Sequence, residues 1–105
     1  MLFTYGPGKF VETHKEFAGE VVLSEHKVYL RNDGEDLPQT YVPLEKIESI
    51  RQKGQQVFFF VRTSIHFTME PCFIVSKDKV DELIRDIVSY RGFKKSFWQK
   101  KWVAE

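Results

Sequence analysis

Residues 19–50 read GEVVLSEHKVYLRNDGEDLPQTYVPLEKIESI, and this stretch decides the fold. Residues 20–24 and 27–31 are two apolar-rich runs separated only by Glu25-His26, the spacing of a tight hairpin. In the second run Val28 and Leu30 share one face, while Lys27, Tyr29 and Arg31 share the other, because strand side chains alternate. Asn32-Asp33-Gly34-Glu35-Asp36 is an acidic, turn-rich loop. Residues 40–43 form a short strand, and Pro43 suits its end because proline donates nothing to a ladder. Leu44-Glu45-Lys46 makes a turn. Residues 47–53 form the next strand, with Ile50 out of step with Ile47, so a bulge or bend is expected.

Working outward, residues 9–17 alternate in part and predict a strand that Gly19 closes. Before it, Gly6-Pro7-Gly8 breaks any regular element. Lys53-Gly54-Gln55-Gln56 is a turn. Residues 57–62 are almost all apolar, as in a central strand buried on both faces. At a sheet edge, Phe58 to Phe60 would instead invite self-association. Residues 65–75 add a strand interrupted by Pro71. The period then changes: Val80, Leu83, Ile84, Ile87 and Val88 follow the i, i+3, i+4, i+7, i+8 pattern of an amphipathic helix over 77–91. Ser76 is the expected N-cap, Asp78 lies in the first turn, and Arg91-Gly92 marks the end. The expected class is mainly β with one C-terminal helix: six to seven antiparallel strands within 9–75, bent and capped by that helix.

The chain has 105 residues, enough for one domain with a core. Its 42% apolar and 30% charged residues are an ordinary globular balance, which argues against disorder. A net charge of +1 supplies no global field for nucleic acid or membrane. Cys72 is the single cysteine, so no internal disulfide can form and a reducing cytoplasm is expected. The start, MLFTYGPGKF, lacks a basic region followed by an apolar run, so no signal peptide is expected. The longest apolar run, 57–61, is far short of the ~20 residues of a membrane span. Membrane contact would be peripheral, at an inner face.

Two segments together resemble a known family. Gly19-x-x-x-Leu23-Ser24-x-x-x-Val28-Tyr29-Leu30, followed by Val42-Pro43-Leu44-Glu45-Lys46-Ile47-Glu48-Ser49-Ile50, resembles the pleckstrin-homology-like superfold. The likeness is greatest to its GRAM-like and bacterial PH-like branches, which carry a similar "(I/V)PL-x-x-I-x-x-I" step. It covers about residues 9–92, with 77–91 as the closing helix. The domain is accordingly placed at 1–92, with 93–105 as a tail. The residues agree: Leu44 and Ile47 can enter a core while Glu45 and Lys46 stay in water. The resemblance implies a bent barrel or sandwich that binds phosphoinositides, peptides or proteins and carries no catalysis. Fold alone does not say which.

Lys9, Lys15, Lys27 and Arg31 lie where a phosphoinositide site would need clustered cations. They are interleaved with Glu12, Glu16, Glu20 and Glu25, the pattern of a solvated strand face. The tail, FKKSFWQKKWVAE, carries four lysines against Glu105, a net +3 that leaves −2 on residues 1–92. Lys94, Lys95, Phe97, Trp98, Lys100, Lys101 and Trp102 are the candidate contacts. They could dock at an anionic lipid interface, stack on single-stranded bases, or grip an acidic protein. The bland alternative folds Phe97 and Trp98 back over the sheet.

No metal spacing joins His14, His26 and His66. Cys72 sits in an apolar strand where a buried thiol is the default. Ser24 and Ser49 lack a G-x-S-x-G context, and neither a P-loop nor a G-x-G-x-x-G is present. Glu45/Glu48 and Asp78/Asp81/Glu82 look like exposed faces. No catalytic, cofactor-binding or metal residue is therefore assigned, and no cofactor or small-molecule substrate. The expected function is a non-catalytic module that binds a protein or peptide, self-association included. The alternative is peripheral binding to an anionic membrane through the tail. An enzyme is the remotest reading, and nucleic acid is not an expected partner.

Overall fold

The computed structural model describes residues 2–62 and 67–90, with the backbone alone of 93–96 and 101–104. Ten strands among the described residues form one antiparallel sheet: β1 (Phe3–Glu12), β2 (Lys15–Leu23), β3 (Lys27–Asn32), β4 (Glu35–Pro43), β5 (Ile47–Lys53), β6 (Gln56–Arg62), β7 (Thr68–Met69), β8 (Cys72–Ile74), β9 (Phe93–Ser96) and β10 (Lys101–Ala104). The path across the sheet is β4-β3-β2-β1-β8-β6-β5-β10-β9, with β7 beside β6. One helix, α1 (Val80–Tyr90), follows β8. Among the described residues β4 and β9 remain the two ends of the path, so the sheet does not close into a barrel.

Within 19–50 the hairpin and the Leu44–Lys46 step fold as their pattern requires, but the return strand β4 starts at Glu35 rather than residue 40, because Glu35 and Asp36 already pair with Asn32 and Arg31. Val21, Leu23, Val28 and Leu30 are fully buried, and the β2–β3 turn is closed by Ser24 N–H donating to Lys27 O at 2.8 Å. Leu44–Lys46 is a 3-10 turn whose Leu44 N–H donates to His26 O at 2.9 Å. That bond ties the step to the hairpin. Leu44 and Ile47 enter the core while Glu45 and Lys46 are exposed. The expected irregularity in β5 lies between Ile47 and Ser49.

One apolar core runs through the sheet and helix. Phe10, Phe73 and Phe59 stack edge to face, with centroids 5.1 and 5.8 Å apart. From α1, Val80, Leu83, Ile84 and Ile87 are buried in the same cluster, and Val88 packs beside them. Each such side chain contributes about 1.5–3 kcal/mol when fully buried. Tyr5, 2% exposed, donates from its hydroxyl to Asp86 Oδ2 at 2.7 Å and so ties α1 to β1.

The structure corrects several expectations. Among the described residues there are ten strands rather than six to seven, and they extend beyond 9–75 at both ends. β1 runs straight through Gly6-Pro7-Gly8. A bulge sets Tyr5 and Gly6 against Val21 alone, with Gly6 at φ +77°, and pairing with β8 begins only at Lys9, beyond the proline. Residues 9–17 are two strands and not one, because Thr13 turns left-handed at φ 52° and brings Phe10 opposite Phe17. Gly19 lies inside β2, opposite Gly8, and ends nothing. The predicted strand 65–75 is two short strands, β7 and β8, with Pro71 between; residues 63–66 lie outside the described ones.

β6 is central, between β5 and β8, but only Val57, Phe59 and Val61 are buried, while Phe58 and Phe60 are half-exposed. Its second face is covered in part by charged neighbours, with the Arg51 guanidinium 4.9 Å over the Phe58 ring. The helix begins at Val80, after a 3-10 turn over Lys77–Lys79, and Arg91 is not among the described residues. Ser76 holds the cap position without a side-chain cap bond; its carbonyl accepts from Lys79 N–H instead. Residues beyond 92 supply β9 and β10, which extend the same sheet.

Candidate functional site

The basic-aromatic tail forms an edge. Lys94 and Lys95 lie in β9, and Lys101 and Trp102 in β10; Phe97, Trp98 and Lys100 lie outside the described residues. β10 pairs with β5 in the register Lys101↔Arg51, Trp102↔Ile50 and Val103↔Ser49. Residues 93–96 and 101–104 thus form a strand pair on the sheet.

The hairpin cations are held by their neighbours. Lys9 pairs with Glu16 at 2.8 Å, Arg31 with Glu20 at 2.7 Å, and Lys27 with Asp36 at 3.4 Å. Three of the four cations that a phosphate cradle would need therefore already face a carboxylate. Among the described residues no group of three or more His, Cys, Asp or Glu could hold a metal ion; His66 lies outside them. Cys72 is buried, and burial pushes its thiol up to about 11, away from nucleophilic reactivity at neutral pH.

A groove that sequence reasoning missed lies elsewhere. Across β3–β4 the register runs Tyr29↔Tyr41 and then Arg31↔Asp36, so residues 37–40 stand against Leu30 alone. This wide bulge is pinned by Thr40, fully buried, whose Oγ1 donates to Leu37 O at 2.8 Å. It holds Gln39 at φ +64°, a left-handed conformation costly for a residue with a Cβ. Gln39 then lines two adjoining clefts.

The first cleft, about 290 Å³, has Tyr41, Val42 and Pro43 from β4 together with Val61, Met69 and Pro71 from the β6–β8 region. Buried Phe10 also lines it, and Glu12, Gln39 and Lys46 supply polar groups. Tyr41 is 53% and Met69 39% exposed, which leaves apolar surface open to solvent here. The second cleft, about 420 Å³, is formed around the β1–β2 turn by Glu12, Thr13, His14, Lys15, Phe17 and Gln39. Glu12 and Gln39 line both, so the two adjoin.

Arg51–Glu70 and Arg62–Glu48 form ion pairs like those of the first hairpin. Among the described residues Glu12, Lys15 and Lys46 form none. β4 itself is a poor template for strand addition. It carries Pro38, Pro43, the bulge and the acidic pair Glu35-Asp36, all of which blunt an edge. What the groove offers a partner is pockets for side chains rather than an open ladder.

One signal could have exposed the bulge. The five residues LPQTY between Asp36 and Val42 are too many for a regular return strand opposite 27–31, and Pro38 cannot sit mid-ladder. Comparison with known proteins finds no protein-family model that matches the chain and no curated protein that matches it. Among the described residues no helix is long and apolar enough to cross a membrane.

Proposed function

We propose that this chain is a non-catalytic interaction module of pleckstrin-homology-like type that binds a segment of a protein partner in the groove beside β4. The carrying observation is the first cleft: a partly exposed apolar recess with Glu12 and Lys46, which form no ion pair among the described residues, at its margin. At about 290 Å³ it falls at or below the ~300–1,000 Å³ typical of small-molecule sites, and is matched better by one or two side chains of a larger partner. An apolar anchor in a pocket with a polar rim is how protein interfaces concentrate their energy. The pleckstrin-homology-like reading is supported by an antiparallel sheet of mostly consecutive neighbours, by the Val42–Ile50 step, and by a C-terminal helix seated in the core.

The test is a peptide selection on the full chain, repeated on Met69→Glu, an exposed position whose change places a charge in the cleft. Selected peptides should bind the natural chain and lose at least about tenfold in affinity on the variant, the effect of about 1.4 kcal/mol. Peptides indifferent to Met69→Glu would refute the site. Vesicles containing anionic lipid test the alternative. Salt-sensitive pelleting abolished by charge reversal of Lys94, Lys95, Lys100 and Lys101 would make the tail, and not the groove, the functional surface.

A further inference from the structure

The geometry points to two subsites in this groove that read one extended segment of a partner protein: an apolar residue beside Tyr41 and Met69, and an acidic residue beside His14 and Lys15. The inference rests on the reading of the groove as a peptide site and adds the chemistry of its occupant. Its basis is the order of groups along the groove. Lys46 lies at the apolar cleft, Glu12 and Gln39 line both clefts, and His14 and Lys15 line the second.

The second cleft is thus bordered by one acid and by a lysine that no carboxylate neutralises among the described residues. Glu12 and Lys15 stand opposite each other in the β1–β2 register and yet form no ion pair. Lys15 is left to attract a carboxylate from outside. Lys46 does the same at the apolar cleft. The complementary ligand is therefore an acidic–apolar segment and not a basic one. Lys9, Lys27 and Arg31, by contrast, each already face a carboxylate of their own chain.

Gln39 stands at the junction. Its amide carries both donors and an acceptor, the set that a peptide backbone satisfies in either direction. The fold retains a strained φ of +64° to present it there, anchored by the buried Thr40–Leu37 bond. Gln39 is thereby a recognition residue for the backbone of the segment, while the two clefts select its side chains.

The probe is a phage-displayed random octapeptide library selected on the full chain, followed by anisotropy of the enriched peptides as synthetic, labelled molecules. Enriched peptides should combine an apolar residue with Asp or Glu. Lys15→Glu and Lys46→Glu should each weaken them about threefold to tenfold, less so at high salt, as partly screened pairs do. Gln39→Gly keeps the left-handed backbone and removes the amide; it should cost a similar factor. All three positions are exposed, or free of a required φ in the variant, and circular dichroism confirms that each folds. Peptides that lose binding on Met69→Glu but carry no acid and ignore Lys15→Glu and Lys46→Glu would overturn this inference and leave the groove standing. Peptides that ignore Met69→Glu, or no enrichment at all, would overturn both.

Discussion

Adding one methyl group at Gly8 should undo the joint of the sheet. β8 is three residues long and is the strand that links β4-β3-β2-β1 to β6-β5-β10-β9. A Cβ built at Gly8 would lie 2.4 Å from Ile74 O and 2.6 Å from Val21 Cγ2. The carbonyl belongs to the backbone of β8 and cannot rotate aside, so the strands must part or the ladder must shift. Overpacking of this kind costs about 1–3 kcal/mol. A weakened Lys9↔Ile74 pairing adds about 0.5–1.5 kcal/mol for a hydrogen bond lost. Gly8→Ala should therefore destabilise by about 1.5–4.5 kcal/mol. Gly6→Ala, two residues away, is the internal control. Gly6 has φ +77° and open space around its Cβ position, so the cost there is conformational only, about 1–2 kcal/mol. Urea titration followed by tryptophan fluorescence and circular dichroism reads both, with m compared to show that two-state behaviour is retained. Gly8→Ala unfolding at the midpoint of the natural chain, or above that of Gly6→Ala, would refute the placement of β8 against β1.

Ile87→Ala, at a fully buried position on α1, should cost about 2–5 kcal/mol in the same titration, whereas Arg85→Ala on the exposed face should change it little. The Tyr5 phenol is raised well above its ordinary value of about 10, first by burial and then by its bond to Asp86. Above about pH 10 the unfolded chain gives up a proton that the native chain keeps, so stability falls as pH rises there; Tyr5→Phe should flatten that fall in alkaline denaturation. Tyr5→Phe should also cost about 1.5 kcal/mol at neutral pH, the low end for a bond to a charged group, since Asp86 retains some access to water. Cys72 should react with a thiol reagent only slowly in the native chain and rapidly in urea, because the thiol is buried and its pKa stands at about 11. Fast native labelling would contradict the packing of β8.

The central hairpin, the Leu44–Lys46 step, β5 and the helix stripe were legible because each is a local pattern. Alternation, period 3.6 and turn chemistry act over a few residues and leave their mark in the order of side chains. Gly6-Pro7-Gly8 misled for the same reason. Read locally it is a breaker, but a bulge opposite Val21 and the late start of β8 let β1 pass through it. Val57 to Val61 has no polar residue to mark the face that stays half-exposed, so the pattern alone reads as burial on both faces.

The groove was not legible at all. Glu12, Gln39, Lys46 and Met69 are far apart in the chain, and none belongs to a motif. They meet because β4 bulges at residues 37–40 and β7 folds back beside β6. The sequence by itself determined the helix period, the turns at 25–26 and 44–46 and the apolar faces of the central hairpin and of α1, which follow from steric and hydrophobic preferences along short stretches. Tertiary structure alone decided which charges were neutralised and which were left at a cleft, because pairing depends on distances between strands that no local pattern records.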